Sequence, residues 1–184
     1  MIFHQLSIKQ VTKVTSRAVE IVFEIPSDLS GAFQYNAGQY LTLKATIDDN
    51  ELRRAYSISS APADNELKVV VKAVDKGVFS NYAMTLRAGD TLEVAPPDGL
   101  FIHEKSGNFL MIAAGSGITP IMSIVKTALT SNDINKVALI YGNQTESQTI
   151  YLEQLNDLKD EYGDRFTLKY CFSREERQDA LFGR

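Results

Sequence analysis

The hydrophobic pattern of this chain changes at residues 96–99 (PPDG), and the change limits the folds that the chain can adopt. Before this turn apolar and polar residues alternate, as at Val19, Ile21 and Phe23, which is the period of a half-buried β-strand. After it, residues 108–114 form a nearly continuous apolar run, typical of a strand that is covered on both faces. The sequence therefore predicts a β-domain followed by an α/β domain.

Six short strands are expected in the first domain, separated by turns rich in Gly, Pro, Asp and Asn. Their spacing indicates a closed or nearly closed antiparallel barrel. One helix interrupts them at 79–86, where Phe79, Tyr82 and Leu86 share a face. The predicted strands are 4–14, 17–25, 39–45, 53–59, 66–74 and 91–95.

The second domain is predicted to alternate strands and helices, which implies a parallel sheet with helices on its faces. Its strands are expected at 108–114, 136–141 and 165–172, and its helices around 120–129 and 149–161. The domains are predicted to span 1–103 and 104–184. Because a half-sheet of this size normally needs further strands, we expect the α/β domain to be incomplete at its C-terminus.

Composition excludes several classes of protein. Apolar residues make up 44% and the net charge is −4, which favours a globular protein and argues against a nucleic-acid platform. No run approaches the about 18 apolar residues of a membrane span, and no secretory signal is visible, so a cytoplasmic protein is expected. The single Cys171, expected to be a small core residue, excludes a cysteine-ligated cluster here, and no metal-ligand spacing is present.

The strongest local signal is the turn Gly115-Ser116-Gly117, which follows a predicted strand and precedes a predicted helix. Glycines allow a phosphate to approach the backbone, and the helix start offers unpaired N–H groups. Pro120 fits the first helical turn. The third glycine of the dinucleotide fingerprint is absent, as is a Walker lysine, and a plain strand-to-helix turn explains the pattern equally well.

Polar residues also follow the next two predicted strands, at Tyr141-Gly142-Asn143 and at Ser173-Arg174. The carboxyl ends of parallel strands face one crevice, so we expect these residues to lie near the glycine turn. A hydroxyl beside a guanidinium suits a phosphate monoester. Without other information, a solvated loop is the more common explanation of Ser173-Arg174.

The first domain carries two further candidates. Arg54, Tyr56 and Ser57 combine a group that neutralises a pyrophosphate, a ring that stacks on a heterocycle, and a hydroxyl that bonds a ring nitrogen, although a ladder of surface side chains is the commoner meaning. Gly77 begins a second glycine turn, in which Ser80 either contributes to a phosphate site or simply caps a helix.

In combination, the segments RAYS, GVFSN, PPDGLF, AGSGITP, YGNQT and SREE, in this order, resemble the ferredoxin–NADP reductase superfamily. The longer phrases RRAYSISSAP and VKAVDKGVFSNYA are similar to the reductase components of oxygenases, such as those of phenylacetyl-CoA epoxidases. The resemblance implies a six-stranded Greek-key barrel that binds FAD and an α/β domain that binds NADPH or NADH. It further implies electron transfer through FAD to an iron–sulfur centre that feeds an oxygenase of phenylacetate or other aromatic degradation.

The resemblance also assigns residues to the two ligands. Tyr56 and Ser57 would meet the flavin ring and Thr119 would lie nearest to it, which makes these three the catalytic candidates. NADPH is favoured because Ser173 and Arg174 match positions that receive its 2′-phosphate. The residues assigned to FAD are Arg54, Ala55, Tyr56, Ser57, Val71, Lys72, Ala73, Gly77, Val78, Phe79 and Ser80. Those assigned to the nicotinamide nucleotide are Gly115, Ser116, Gly117, Ile118, Thr119, Pro120, Tyr141, Gly142, Asn143, Ser173 and Arg174.

The chain departs from the family pattern in two ways. Gln144 stands where relatives usually carry an Arg, and the family's later Cys-Gly segment and its 2Fe–2S domain would lie beyond Arg184. The cluster is therefore expected on a later part of the protein or on a partner, and this chain alone is expected to react poorly. Two alternatives stay open: a stand-alone ferredoxin or flavodoxin reductase (or a dehydrogenase electron-transfer subunit), and a non-catalytic flavin-binding docking module.

Overall fold

The computed structural model describes residues 1–102, 107–131, 135–176 and 180–182, which form two sheets with helices packed on the second. The first sheet and its helix comprise β1 (His4–Thr15), β2 (Ala18–Glu24), β3 (Tyr40–Ile47), β4 (Asn50–Ser57), β5 (Leu67–Lys72), α1 (Val78–Ala83) and β6 (Thr91–Val94). The second part comprises β7 (Asn108–Ala114), α2 (Ile118–Thr130), β8 (Lys136–Asn143), α3 (Leu152–Tyr162), β9 (Phe166–Phe172) and β10 (Leu181–Phe182).

The first sheet is the predicted six-stranded antiparallel barrel. Its strands lie in the order β4-β3-β6-β1-β2-β5, so β6 inserts between β3 and β1, as in a Greek key. An antiparallel bridge between Ile58 and Val69 joins the continuation of β4 to β5 and closes the barrel. The interior is filled by alternate side chains of these strands, among them Leu6, Ile21, Leu41, Leu43, Val69 and Val94.

The face of β2 that points away from the barrel interior is more buried than expected for a half-buried strand. Ala18 is fully buried, although the period-two pattern places it on the face opposite Val19 and Ile21. The reason is that Ala18 and its neighbour on β5, Val70, pack into the apolar core of the second domain. The two domains therefore share a continuous apolar contact, which holds the barrel against the α/β unit.

The second sheet is parallel, in the order β10-β9-β8-β7, and the predicted βαβαβ unit is confirmed. α2 and α3 bury Val137, Leu139 and Leu168 against Val125 and Leu155. The two-residue strand β10, which pairs with β9, was not expected from the sequence.

The prediction that β7 is covered on both faces is wrong. Leu110 and Ile112 are 69% and 71% exposed, whereas Met111 and Ala113 face the helices. The cause is the strand order: because β7, β8 and β9 neighbour one another in chain order, both right-handed crossovers place their helices on the same face.

Most strand and helix ends lie within three residues of the predicted ones. α3 begins at Leu152 instead of 149, because a short turn at Glu146–Gln148 precedes it. The predicted domain boundary after residue 103 falls within 103–106, outside the described residues, and stays a prediction. Within the part of the chain described here, no helix is long and apolar enough to cross a membrane.

Candidate functional site

A crevice of about 520 Å³ lies at the carboxyl ends of β7, β8 and β9. The structure brings together there the glycine turn, the end of β8 and Ser173, as the strand order led us to expect. The lining residues are Lys72, Ala114, Gly115, Ser116, Gly142, Asn143, Gln144, Cys171 and Ser173. The crevice is thus formed mainly by the α/β domain, and the barrel contributes one cation.

The turn Gly115–Gly117 has a backbone conformation that favours glycine. Gly115 has a φ of +51°, which side-chain-bearing residues rarely adopt, and residues Gly115–Gly117 form one tight turn before α2. The buried Tyr141 hydroxyl donates a 2.9 Å hydrogen bond to the Gly115 carbonyl, and burial raises the pKa of Tyr141, so it stays a neutral donor. The Ile118 N–H at the start of α2 already donates to the Gly115 and Ser116 carbonyls, and Pro120 has no N–H, so the main-chain N–H groups of Gly115–Gly117 are the ones that suit an anion.

Lys72 reaches this turn from the last position of β5. Its Nζ atom lies 3.6 Å from where a side-chain Cβ would project at Gly115. Within the described residues no carboxylate lies within 4.0 Å of this ammonium group. The family resemblance assigned Lys72 to FAD, whereas the geometry directs its charge toward the crevice of the other domain.

Asn143 supplies unused hydrogen-bonding capacity beside the crevice. The residue is 9% exposed, and neither atom of its side-chain amide makes a hydrogen bond of normal geometry in the described part of the chain, although the amide is near enough to the Tyr141 hydroxyl to act on its pKa. An unsatisfied buried amide is costly, so a polar ligand in the crevice would stabilise it. The Asn143 carbonyl accepts from the Ser173 N–H at 3.0 Å, which joins the ends of β8 and β9.

Three other crevice candidates are placed as follows. Arg174 is exposed, and its main-chain N–H donates to the Gln144 carbonyl at 2.9 Å. Ile118 is fully buried in the core and Thr119 is buried, with its hydroxyl bonded to the Ser116 carbonyl at 3.1 Å. Ile118 can therefore offer a ligand only its main chain.

The expectation that Cys171 is a core residue is wrong. Its side chain is half-buried and lines the crevice. The cause is again the one-sided covering of the sheet, because Cys171 stands beside Gly142 on the face without helices.

On the barrel, Arg54 and Tyr56 lie on one face of β4, as the alternation predicted. Their partners across the strand pair are the core residues Leu43 and Leu41. The Tyr56 ring lies 5.8 Å from the ring of the buried Phe79. Burial raises the pKa of Tyr56, and the positive charge of Arg54 acts in the opposite direction.

Arg54 differs from its neighbour in its partners. Arg53 pairs with the Glu51 carboxylate at 2.6 Å, whereas the exposed Arg54 contacts only the Arg53 carbonyl, at 2.7 Å, and no carboxylate among the described residues. An unpaired guanidinium two positions from an aromatic ring on the same face of a strand is suited to a phosphate on a stacked ligand.

At the second glycine turn, any residue other than glycine would force neighbouring side chains to move. A Cβ at Gly77 would lie 2.5 Å from both Ser80 Oγ and Val74 Cγ2. The Ser80 hydroxyl accepts from the Val74 N–H and donates to the Gly77 carbonyl, each at 3.2 Å. Ser80 therefore stabilises the turn, and any phosphate would meet the main-chain N–H groups at its start. Val71 and Ala73 are buried and also have only main-chain groups to offer.

Sequence reasoning missed the polar contacts that join the domains. The Ser123 hydroxyl of α2 donates to the Ser60 carbonyl at 2.6 Å, and Lys126 pairs with Asp64 at 2.5 Å. Tyr151, just before α3, contacts the barrel through its hydroxyl. A serine on the buried face of α2 was the only sequence signal of this interface.

Comparison with known families agrees with this architecture. Residues 5–103 match the oxidoreductase FAD-binding domain, and residues 111–182 match the oxidoreductase NAD-binding domain. The first of these matches alone covers more than half of the chain.

Curated relatives are similar over nearly the whole chain. The chain is 44% identical to one of the subunits of 1,2-phenylacetyl-CoA epoxidase from Escherichia coli (strain K12), over 99% of this chain and 53% of that protein. It is 40% identical to the ferredoxin reductase component of 3-ketosteroid-9-alpha-monooxygenase from Rhodococcus rhodochrous, over 89% of this chain and 47% of that protein. The chain spans about half the length of these two relatives.

Solved structures share the fold. The cytochrome b5 reductase domain of Ulva prolifera nitrate reductase superposes with a TM-score of 0.85 at 24% identity, over 99% of this chain and 78% of that one. A ferredoxin NADP+ reductase from Neisseria gonorrhoeae gives 0.81 at 21% identity, over 99% of this chain and 73% of that one. From the domain matches, the relatives and the fold together, the chain belongs to the ferredoxin–NADP reductase superfamily of FAD- and NAD-binding oxidoreductases.

Proposed function

We propose that this chain takes electrons from NADPH or NADH and passes them through FAD to an oxygenase system. The observation that carries the proposal is the meeting of the two candidate ligand regions. β5, which ends beside the second glycine turn of the barrel, places Lys72 at Gly115 in the crevice of the other domain. Two ligands bound in these regions would approach each other at the domain boundary.

The barrel residues fit a flavin dinucleotide. Arg54 offers an unpaired guanidinium, Tyr56 a half-buried ring, and Gly77 a turn that a Cβ would fill. When bound, FAD would supply the chemistry, since it accepts a hydride and releases electrons singly. The chain itself then needs no general acid or base: Tyr56 and Ser57 orient the ring, and Arg54 neutralises the pyrophosphate.

The crevice fits the second dinucleotide. The main-chain N–H groups of the turn Gly115–Gly117 and the Lys72 ammonium would receive its phosphates, and the Asn143 amide would take a polar group. We assign an additional phosphate monoester to Ser173 and Arg174 at the end of β9; Ser173 lines the crevice and Arg174 follows it directly. NADPH is therefore the preferred donor in this proposal, with Thr119 on the side nearest the flavin.

The electron acceptor is proposed from the relatives. Both curated relatives described above are named as parts of oxygenases, an epoxidase and a monooxygenase. We assign this chain the same kind of partner, an oxygenase of phenylacetate or related aromatic degradation. An iron–sulfur centre, on a further part of the protein or on a partner, would carry the electrons between them.

A titration with FAD tests the barrel assignment. Arg54→Ala should weaken FAD binding at least about tenfold, because a charge-assisted contact to phosphate is lost. Arg53→Ala is the matched control, since Arg53 is adjacent but paired with Glu51, and it should bind FAD as the unmodified protein does. Absence of one-to-one FAD binding by the unmodified protein would contradict the proposed function. Equal binding by both variants would remove Arg54 from the site.

A further inference from the structure

Tyr151 lies between α3 and the barrel, and it is not among the residues that line the crevice. Its side chain is 6% exposed, and its φ of +63° is uncommon for a bulky residue. Its hydroxyl lies 2.6 Å from Glu20 Oε2 and 2.8 Å from Ser59 Oγ. Both partners belong to the barrel, so this residue connects the two domains by hydrogen bonds.

The chemistry of the two partners determines which group donates in each hydrogen bond of Tyr151. A phenol has one proton, and the Glu20 carboxylate is the stronger of the two acceptors, so Tyr151 donates to Glu20 and its oxygen is left to accept from Ser59. Burial, and then the charge of Glu20, raise the pKa of Tyr151, which keeps the proton on the phenol. Bonds to a charged acceptor are stronger than neutral ones, and this one is partly buried.

The position of the contact in the fold indicates its role. Ser123 and Lys126 attach α2 to Ser60 and Asp64, so both of these polar contacts come from one helix. Tyr151 adds an attachment from the separate helix α3. All three reach residues 59–64 of the barrel, with Glu20 beside them.

The segment 59–64 also lies between the two ligand regions. It continues from β4, which carries Arg54 and Tyr56, and it contacts α2, which starts at the turn Gly115–Gly117. A tilt of the α/β domain at this segment would change the distance between a ring on Tyr56 and a ring at Thr119. Displacements of about 1 Å at a reacting centre are enough to slow a transfer step about a hundredfold.

We infer that Tyr151 is a positioning residue that fixes the orientation of the NAD-binding domain on the barrel for hydride transfer. The inference rests on the proposed function. It assigns Tyr151 no contact with either dinucleotide, so the affinities for both should be independent of its hydroxyl, while the transfer rate depends on it.

The test uses the full-length protein loaded with FAD, in the Tyr151→Phe variant. Tyr162→Phe is the matched control, because Tyr162 ends the same helix and lies against Arg165. We expect Tyr151→Phe to keep one-to-one FAD and an NADPH dissociation constant within about twofold of the unmodified protein. The rate constant for anaerobic bleaching of the flavin by NADPH should fall about tenfold or more. Tyr162→Phe should change neither.

A second readout does not depend on activity. Amide hydrogen exchange over 59–64 should become faster in Tyr151→Phe, with or without FAD, and not in Tyr162→Phe. Glu20→Gln, which keeps the shape and removes the charged acceptor, should shift both readouts in the same direction. It decides the question if Tyr151→Phe does not fold.

The outcomes separate this inference from the function on which it rests. A wild-type protein that binds FAD but is reduced by neither dinucleotide contradicts the proposed function, and this inference with it. A reducible wild type whose Tyr151→Phe variant is equally fast, with unchanged exchange at 59–64, contradicts the inference alone. A parallel loss of NADPH affinity would also overturn it, since Tyr151 would then act through binding.

Discussion

Removal of the Lys72 charge should weaken NADPH binding and leave FAD binding intact. Lys72 Nζ stands over Gly115 without a carboxylate partner among the described residues, so a phosphate at the turn would be its main counter-charge. Two unit charges about 4 Å apart interact by about 1 kcal/mol in water and about 4 kcal/mol near a protein surface. Because Lys72 is half-buried, we expect Lys72→Gln to weaken the free energy of NADPH binding by about 1–2 kcal/mol, which raises the NADPH dissociation constant roughly 5- to 30-fold.

The assay is titration of FAD-loaded protein with NADPH at low and high salt. The difference between Lys72→Gln and the unmodified protein should shrink as salt screens the charge. Lys68→Gln is the matched control: Lys68 lies on the same strand and face but pairs with Glu66 at 2.7 Å, away from the crevice. Loss of FAD with unchanged NADPH affinity would refute the reasoning and restore Lys72 to the flavin side, where sequence analysis assigned it.

Three further outcomes follow from the geometry. The Gly77→Ala variant should lose FAD on purification, because its Cβ would meet Ser80 Oγ at 2.5 Å. The control variant Gly31→Ala has open space around the new Cβ and should retain the flavin absorbance. Equal flavin retention by the two variants would contradict the importance of the Gly77 turn. In urea unfolding, Leu139→Ala should lower the free energy of unfolding by about 2–5 kcal/mol, and Ile112→Ala should lower it by less than about 1 kcal/mol. Equal losses would contradict a second sheet that is covered by helices on one face only. Burial raises the pKa of Tyr35 to about 12, so folding favours its neutral form. Its contribution should be complete below a pH of about 10 and should fall, by up to about 2 kcal/mol, as the pH rises to about 12. Tyr35→Phe should reduce this slope, and a flat profile in the unmodified protein would contradict it.

The crevice could be predicted from the sequence because the position of its residues follows from the order and direction of the strands. Parallel strands joined by right-handed crossovers must end at the same edge, so Gly115, Gly142 and Ser173 had to meet once their strands were identified. The alternation that put Arg54 and Tyr56 on one face was equally local. Both inferences needed only the period of a strand and the direction of the chain.

The remaining features depend on contacts between residues far apart in the sequence. The apolar run of β7 fits a strand covered on both faces as well as one with an open face, and only the order of the neighbouring strands distinguishes them. The direction in which Lys72 points depends on where the second domain packs. Tyr151 meets Glu20 across 131 positions of the chain, and no spacing rule connects them.

The central claim is that a flavin on the barrel and a nicotinamide in the crevice meet at the domain boundary. It is tested most directly by anaerobic mixing of the FAD-loaded full-length protein with NADPH, and separately with NADH, while the visible flavin band is followed. The account predicts that the band disappears in a single turnover, with NADPH effective at the lower concentration. A flavin that is bound one to one and stays oxidised with both dinucleotides would contradict it.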